Sequence, residues 1–192
     1  MPPLRTCSAL LAATSCLVGV ACQLRRPNTT PVRVIEPQLI EPPPRSTVPD
    51  ATPIRLLETQ ARDHIGRKIL FRQTTGELTE DPIWRWSSPP DRYLDTAMRR
   101  ELVATPSVRV VDDSSAPTLG VMLLVWDLES AGSQLVGSVE FQFIGGDRIV
   151  RTHVVRATEP VSSDLPGDLA AAAGRLFQRL ASDGLALALR ER

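Results

Sequence analysis

The chain has 192 residues, which is enough for one ordinary domain with additional terminal segments. Acidic and basic residues balance at 22 each, so the net charge gives no indication of a nucleic-acid partner or an anionic surface. All three cysteines, Cys7, Cys16 and Cys22, lie at the N-terminus. The rest of the chain therefore has no disulfide, no thiolate nucleophile and no cysteine metal site.

The N-terminal segment has the pattern of an export signal. Arg5 precedes an apolar run from Ser8 to Ala21 that is too short for a comfortable transmembrane helix. The run ends in Val20-Ala21-Cys22, which resembles a bacterial lipoprotein cleavage site, where the cysteine receives lipid and becomes the new N-terminus. We predict a signal peptide over residues 1–21 and lipidation of Cys22. Lipidation of Cys16 and an ordinary secretory signal are the alternatives.

Lipidation at Cys22 would determine where the protein resides. Acyl chains such as palmitate on that cysteine would anchor the chain without a spanning segment. Gln23 follows the cysteine, in place of the aspartate that usually retains such proteins in the inner membrane. This resemblance predicts a lipid anchor in the outer membrane, with the protein facing the periplasm.

Residues 22–52 are rich in proline, with Pro42-Pro43-Pro44 in the middle. Proline at this density prevents helix and favours an extended, polyproline-like chain. Val32 to Ile35 alternates only briefly, and we do not predict a strand there. We interpret residues 22–52 as a tether that spaces the domain from the membrane, and residues 53–190 as the domain.

The domain begins with short strand patterns. Ile54–Leu57 predicts a first strand and Lys68–Arg72 a second, separated by a polar loop around His64 and Gly66. A third strand carries Trp84 and Trp86, which are two residues apart and so leave an extended chain on the same face.

A helix is predicted after the tryptophan strand. Ser88 is placed to cap it, Pro89 fits the first turn, and Asp91 favours the helix dipole. The apolar positions that recur at helical spacing are Leu94, Ala97, Met98 and Leu102. Pro106 ends the helix.

Four strands and a helix are predicted in the second half of the domain. A strand at Val108–Val111 precedes the apolar strand Leu119–Trp126, the alternating run Val139–Phe143 and the segment Ile149–Val155. The last three should form an antiparallel meander. A C-terminal helix begins near Asp164 and Asp168, with Gly184 weakening or ending its last turns. Its predicted apolar face comprises Leu169, Ala172, Ala173, Leu176, Leu180 and Leu187.

These elements predict one mixed α/β domain. It contains a mixed sheet with an antiparallel meander, one crossover helix and a C-terminal helix packed on the sheet.

The sequence lacks a convergent catalytic pattern. His153 is predicted in mid-strand without a second histidine or a cysteine near it, and G-x-S-x-G and Walker A motifs are absent. The acidic pairs Glu80-Asp81 and Asp112-Asp113 lie in predicted turns, where solvated carboxylates are the usual case. We therefore predict no enzymatic activity, no cofactor and no metal site.

Several landmarks resemble the ABC-type transport auxiliary lipoproteins, the lipoprotein partners of MCE-type intermembrane lipid transport systems. The resemblance covers roughly Ile54 to Leu189. The landmarks are Trp86 in W-x-x-x-P, Leu94, Met98 and Leu102 in the helix, Val108–Val111, the strand into Trp126, the meander around Phe141, Glu159-Pro160, and Leu176 and Leu180 in the final helix.

The resemblance implies a non-enzymatic component of a lipid-moving envelope complex. Its partners would be an ATPase, a permease and MCE-domain proteins, with no nucleic acid involved and a homo-oligomer left open. The alternative is an outer-membrane assembly lipoprotein of another type, for example one that supports lipopolysaccharide insertion.

Overall fold

A long apolar strand organises the fold of the computed structural model, which describes residues 31–41, 48–129, 133–145, 148–163 and 166–190. The helices are α1 (Pro90–Ala104) and α2 (Pro166–Arg190). The strands are β1 (Arg33–Ile35), β2 (Thr52–Leu56), β3 (Gln60–Ala61), β4 (Lys68–Arg72), β5 (Leu78–Trp86), β6 (Val108–Val110), β7 (Thr118–Glu129), β8 (Gln134–Gly145) and β9 (Arg148–Pro160).

Strand β7 is the centre of a nine-stranded mixed sheet. On one side it pairs antiparallel with β8 along its whole length, and β8 pairs antiparallel with β9. On the other side three short strands, β2, β3 and β4, follow one another along β7, all parallel to it. Strand β5 extends the sheet beyond β4, β1 lies beyond β5, and β6 lies beyond β2. The predicted mixed α/β class and the β7–β8–β9 meander are confirmed.

The core lies between the sheet and the two helices, which also contact each other. Helix α1 forms the crossover connection between β5 and β6, and α2 packs on β8 and β9. An aromatic group stands at the centre. The ring of Trp126 stacks on Phe177 of α2 with centroids 4.0 Å apart, and Trp86 lies 6.0 Å from Trp126. Trp86 and Trp126 are both fully buried.

Helix α1 begins one residue later than its predicted cap requires. Its N-cap is Pro89, which makes no side-chain capping bond, so the prediction that Ser88 caps this helix is wrong. Pro90 fills the first position, where a missing N–H has no cost, and Asp91 lies in the first turn as predicted. The helix ends at Ala104, before Pro106.

Helix α2 continues past Gly184 to Arg190, so this glycine does not end the helix as predicted. It permits close packing instead, since a Cβ atom at this position would lie 1.9 Å from Cζ of Phe141. Five of the six residues predicted on the apolar face are buried, but Leu187 is 36% exposed and does not belong to it.

The N-terminal part of the described chain packs on the domain, although residues 22–52 are predicted as a tether. Strand β1 pairs parallel with β5, and Ile35 is buried. The amide of Gln38 then donates to the carbonyl of Ala170 in α2, 3.1 Å away. Burial of Ile35 and these backbone bonds hold residues 33–39 in place despite the neighbouring prolines.

Among the described residues, no helix combines the length and the apolar character needed to cross a membrane.

Candidate functional site: an apolar cleft beside strand β5

The cleft begins at an irregularity in β5. Lys68 of β4 pairs with Arg85, whereas Leu70, two residues further on, pairs with Glu80. Residues 81–84 therefore bulge out of the ladder with β4, and Pro82, which has no N–H to donate, lies exposed in the bulge. The bulge leaves backbone N–H groups of β5 without a partner in β4, so they need another hydrogen-bond acceptor.

Asp81 supplies that acceptor. Its Oδ1 accepts hydrogen bonds from the amides of Ile83 and Trp84, both at 2.7 Å. Arg85 donates in turn to the carbonyl oxygen of Asp81. The acidic pair Glu80-Asp81 is thus structural, since Glu80 forms an exposed ion pair with Lys68 at 2.6 Å. An Asp-Pro dipeptide inside a strand pattern is the sequence signal that could have predicted this bulge.

The bulge forms one wall of a cleft of about 480 Å³, called the apolar cleft below. Strands β1, β4, β5 and β7 line it, together with Val161 after β9 and the first turn of α2. Apolar side chains make up most of the lining, among them Ile35, Phe71, Trp84, Leu128, Val161 and Leu169. The volume is within the range of small-molecule sites in proteins.

Polar groups around the apolar cleft have partners within the chain. Ser163 donates to the Asp168 carboxylate, and Glu129 forms an ion pair with Arg156 at 3.6 Å. The amide of Val161 donates to the carbonyl of Ser133 at 2.7 Å. Together with the hydrogen bonds that Asp81 accepts, these contacts pair polar groups of the lining with other groups of the chain. The arrangement suits an apolar ligand better than one that needs hydrogen bonds.

Trp84 is the largest side chain of the cleft wall. It is partly exposed, whereas Trp86, two residues later, is fully buried against Trp126. Strand β1 covers part of it, because Arg33 pairs with Trp84 in the parallel ladder and its guanidinium lies 5.5 Å from the ring centroid. The sequence predicted the common face of the two rings but not their separate roles.

A buried ion pair joins β4 and β7, two of the strands that line the apolar cleft. Asp127 of β7 is 2% exposed, and its Oδ2 accepts from Nη2 and Nε of Arg72 in β4, at 2.5 and 3.1 Å. The hydrogen bonds that Arg72 donates to Asp127 raise the pKa of Arg72, and the charges of Asp127 and Glu129 add to this effect. The guanidinium therefore stays charged, which a buried carboxylate requires.

The other residues considered for chemistry are dispersed. Cys22, the predicted lipid-attachment residue, lies outside the described residues, as does Cys16. The two histidines lie apart, His64 after β3 and His153 in β9. Asp113 accepts a hydrogen bond from the Ser115 amide at 2.8 Å, which lowers the pKa of its carboxyl and marks it as a turn residue. In the described part of the chain, no three potential metal ligands cluster.

Comparison with known proteins gives the family. The model of the ABC-type transport auxiliary lipoprotein component matches residues 38–183, which is most of the chain. No curated protein matches the sequence.

Two solved structures show the same fold. Protein XCC0632 from Xanthomonas campestris, described as a DUF330 family member, is similar with a TM-score of 0.64 at 16% identity, covering 80% of this chain and 92% of its own. The hypothetical protein CT253 from Chlamydia trachomatis has a TM-score of 0.54 at 8% identity, covering 72% and 95%. Their low identity supports the fold alone. The family match extends from Gln38, beside β1, almost to the end of α2, and the chain thus belongs to the ABC-type transport auxiliary lipoprotein family.

Proposed function

We propose that this chain is a non-enzymatic lipoprotein component of an envelope ABC transport system of the MCE type, which moves lipid between membranes. The observation that carries the proposal is the family match over residues 38–183. The lipoprotein-like sequence Val20-Ala21-Cys22 agrees with it. Partners would be MCE-domain proteins with a permease and an ATPase.

A non-enzymatic role agrees with the local chemistry of the apolar cleft. The carboxylates of Asp81 and Glu129 are committed to backbone amides and to Arg156, and the Ser163 hydroxyl to Asp168. A catalytic serine or carboxylate would need to face a reacting group instead. The cleft residues thus support a component that binds or assembles.

The anchor would be Cys22, in the outer membrane and facing the periplasm. Strand β1 already belongs to the sheet at Arg33, so the spacer before the domain comprises only the residues from Cys22 to Arg33. At about 3.1 Å per residue, this segment would span roughly 34 Å if it were wholly polyproline-like. We infer that the domain stays close to the membrane to which it is anchored.

The test is complementation of a deletion strain. Deleting the gene should sensitise cells to membrane stress, and the wild-type gene should restore resistance. Cys22→Ala should abolish incorporation of labelled fatty acid and fail to complement, while Cys16→Ala should behave as wild type. If labelling persists in Cys22→Ala and is lost in Cys16→Ala, the anchor has been assigned to the wrong cysteine. Full complementation by an unlabelled, soluble form would contradict the anchored role itself.

A further inference from the structure

We propose that the edge of the sheet formed by β1 lies against a bilayer surface containing anionic lipid, and that this contact determines which side of the anchored domain faces its membrane. The surface, called the β1 edge below, comprises Val32, Arg33 and Val34 together with Arg67, just before β4, and Arg85 of β5. The proposal rests on the anchor at Cys22 put forward above, because that anchor brings the edge to the bilayer.

The order of the chain places β1 next to the anchor. It is the first of the described strands, and only the residues from Cys22 to Val32 separate it from the attached lipid. This part of the sequence contains Arg25 and Arg26 and no aspartate or glutamate, so it is attracted to anionic lipid as well. Along the chain, the anchor therefore holds β1 nearer to the bilayer than any other described strand or helix.

Two valines give the β1 edge an apolar character. Val32 and Val34 are 61% and 57% exposed, whereas Ile35 is buried. Val34 pairs with Arg85 in the parallel ladder, so the two side chains lie on the same side of the sheet. Among the described strands, β1 pairs with β5 alone. Exposed aliphatic side chains beside arginines suit the headgroup boundary of a bilayer, where the aliphatic group is inserted and the guanidinium meets phosphate.

The arginines of the β1 edge carry charge that no described carboxylate pairs with. Arg67 donates through Nε to the carbonyl of Trp86 at 3.1 Å, and Arg85 donates to two backbone carbonyls. The guanidinium of Arg33 lies 5.5 Å from the ring centroid of Trp84. Contacts with neutral groups leave the positive charge of each arginine available to a phosphate.

The acidic groups nearby compensate this charge only in part. Glu80 pairs with Lys68 at 2.6 Å, and the Asp81 carboxylate is held by backbone amides. Glu36, which follows β1, is exposed and accepts a hydrogen bond from the Ser87 hydroxyl. Because the three arginines outnumber the two carboxylates that lack an arginine or lysine partner, the β1 edge keeps an excess of positive charge.

These features favour a lipid surface over another protein chain. Addition of a peptide strand depends on backbone hydrogen bonds along an open edge, and β1 has only three residues to offer. A second copy in a two-fold contact would bring the same arginines opposite each other. An anionic bilayer has the complementary charge and is already within reach of the anchor.

The first test maps which side of the domain meets lipid. Because no cysteine follows Cys22 in the sequence, a mature chain with a histidine tag in place of Cys22 can carry one introduced cysteine with an environment-sensitive fluorophore. Val34→Cys, Val103→Cys and Val154→Cys label β1, α1 and β9 at valines that are 57%, 69% and 58% exposed. A nickel-chelating lipid holds the tag on phosphatidylcholine vesicles that contain phosphatidylglycerol. Only the label at Val34 should shift its emission to shorter wavelength.

The second test changes the charge of the edge while the label at Val34 reports docking. Arg33→Gln and Arg67→Gln should each lower the ratio of docked to undocked chain about fivefold, and Glu36→Gln should raise it, because it removes a repelling carboxylate. Arg109→Gln is the matched control, since Arg109 is an exposed arginine in β6, a three-residue strand at the opposite end of the strand order from β1. Circular dichroism confirms that each variant is folded.

Several outcomes would overturn the proposal. They are a wavelength shift at Val103 or Val154 in place of Val34, a shift at none of the three or equally at all three, and equal effects of Arg33→Gln and Arg109→Gln. A shift at Val34 that follows the density of protein on the vesicle and not the anionic lipid would show that a second copy covers β1, which also contradicts the proposal. The anchor and the proposed partners would stand in each case, because fatty-acid labelling and purification from membranes test them.

Discussion

A Cβ atom placed at Gly184 would lie 1.9 Å from Cζ of Phe141. Helix α2 therefore crosses β8 at this point with its backbone against an aromatic ring, and any side chain would force the two apart. The same helix has a second close approach at Gly174, where a Cβ atom would lie 1.9 Å from the carbonyl oxygen of Gln38. These two glycines determine how α2 packs, one on the sheet and the other on the N-terminal segment.

Gly184→Ala should destabilise the domain although alanine is the better helix former. Helix propensity favours alanine by about 1 kcal/mol, but overpacking a core costs about 1–3 kcal/mol, and Phe141 is fully buried. We expect a lower melting temperature in calorimetry. Gly167→Ala is the control, because a Cβ atom there meets nothing within 4 Å. Equal melting temperatures for the two variants would show that the ring moves aside without cost.

Gly174→Ala should release the N-terminal segment from α2. The added methyl group collides with backbone at Gln38, which cannot rotate away as a side chain can, and so the bond from the Gln38 amide to Ala170 should break. Limited trypsin digestion should then cut faster after Arg33, while the rest of the domain resists. Unchanged cleavage relative to Gly167→Ala would contradict the packing described here.

Trp86→Ala should destabilise the domain severely. Its ring is 1% exposed and lies 6.0 Å from Trp126, and loss of a buried aromatic side chain costs about 3–5 kcal/mol. Denaturant unfolding followed by circular dichroism measures the change. Trp84→Ala, two residues earlier on the cleft wall, should cost less because this ring is partly exposed. If Trp86→Ala unfolds like wild type but loses a partner, Trp86 would be an interface residue.

Arg72→Met should also be costly, because it leaves the Asp127 carboxylate buried without a counter-charge. Breaking one side of a buried pair costs about 3–5 kcal/mol. The control is Lys68→Met, since the Lys68–Glu80 pair is about half exposed and should contribute about 0–1 kcal/mol. A loss in Arg72→Met no larger than in the control would mean that water reaches Asp127.

The pH dependence of the Arg72 contribution follows from its raised pKa. A group whose pKa is higher in the folded state contributes its full stability below its unfolded pKa and loses it only as the pH rises through the folded value. For an arginine this loss lies beyond the neutral range. The difference between wild type and Arg72→Met should therefore not decrease as the pH rises from about pH 6 to pH 9. A difference that shrinks as the pH rises through that range would contradict the assigned charge state.

Much of the fold was predictable because its main signals are local. The alternation of Val139, Phe141 and Phe143 and the apolar run into Trp126 predict the meander, and the helical spacing of Leu94 and Met98 predicts α1. In the alternating run and in α1 the spacing of apolar residues indicates which side faces the core, and the continuous apolar run into Trp126 indicates a buried strand.

What the sequence did not predict depends on tertiary contacts. The alternation from Val32 to Ile35 is too short to indicate a strand, and β1 exists because Trp84–Trp86 provides a partner edge and Ile35 can be buried. The sequence predicts that Gly184 weakens or ends the helix, but its role is to allow close packing against Phe141, a residue distant in the chain. The apolar cleft arises from several separated segments around a bulge at Pro82, and no single segment carries its signature.

The proposed function is tested most directly by purifying the tagged full-length chain from detergent-solubilised membranes and identifying the proteins that accompany it. We predict recovery of an MCE-domain protein, together with its permease and ATPase, with the wild-type chain. Cys22→Ala should recover far less of them, because it lacks the anchor. Recovery of outer-membrane assembly factors in place of an MCE-domain protein would contradict the proposed function.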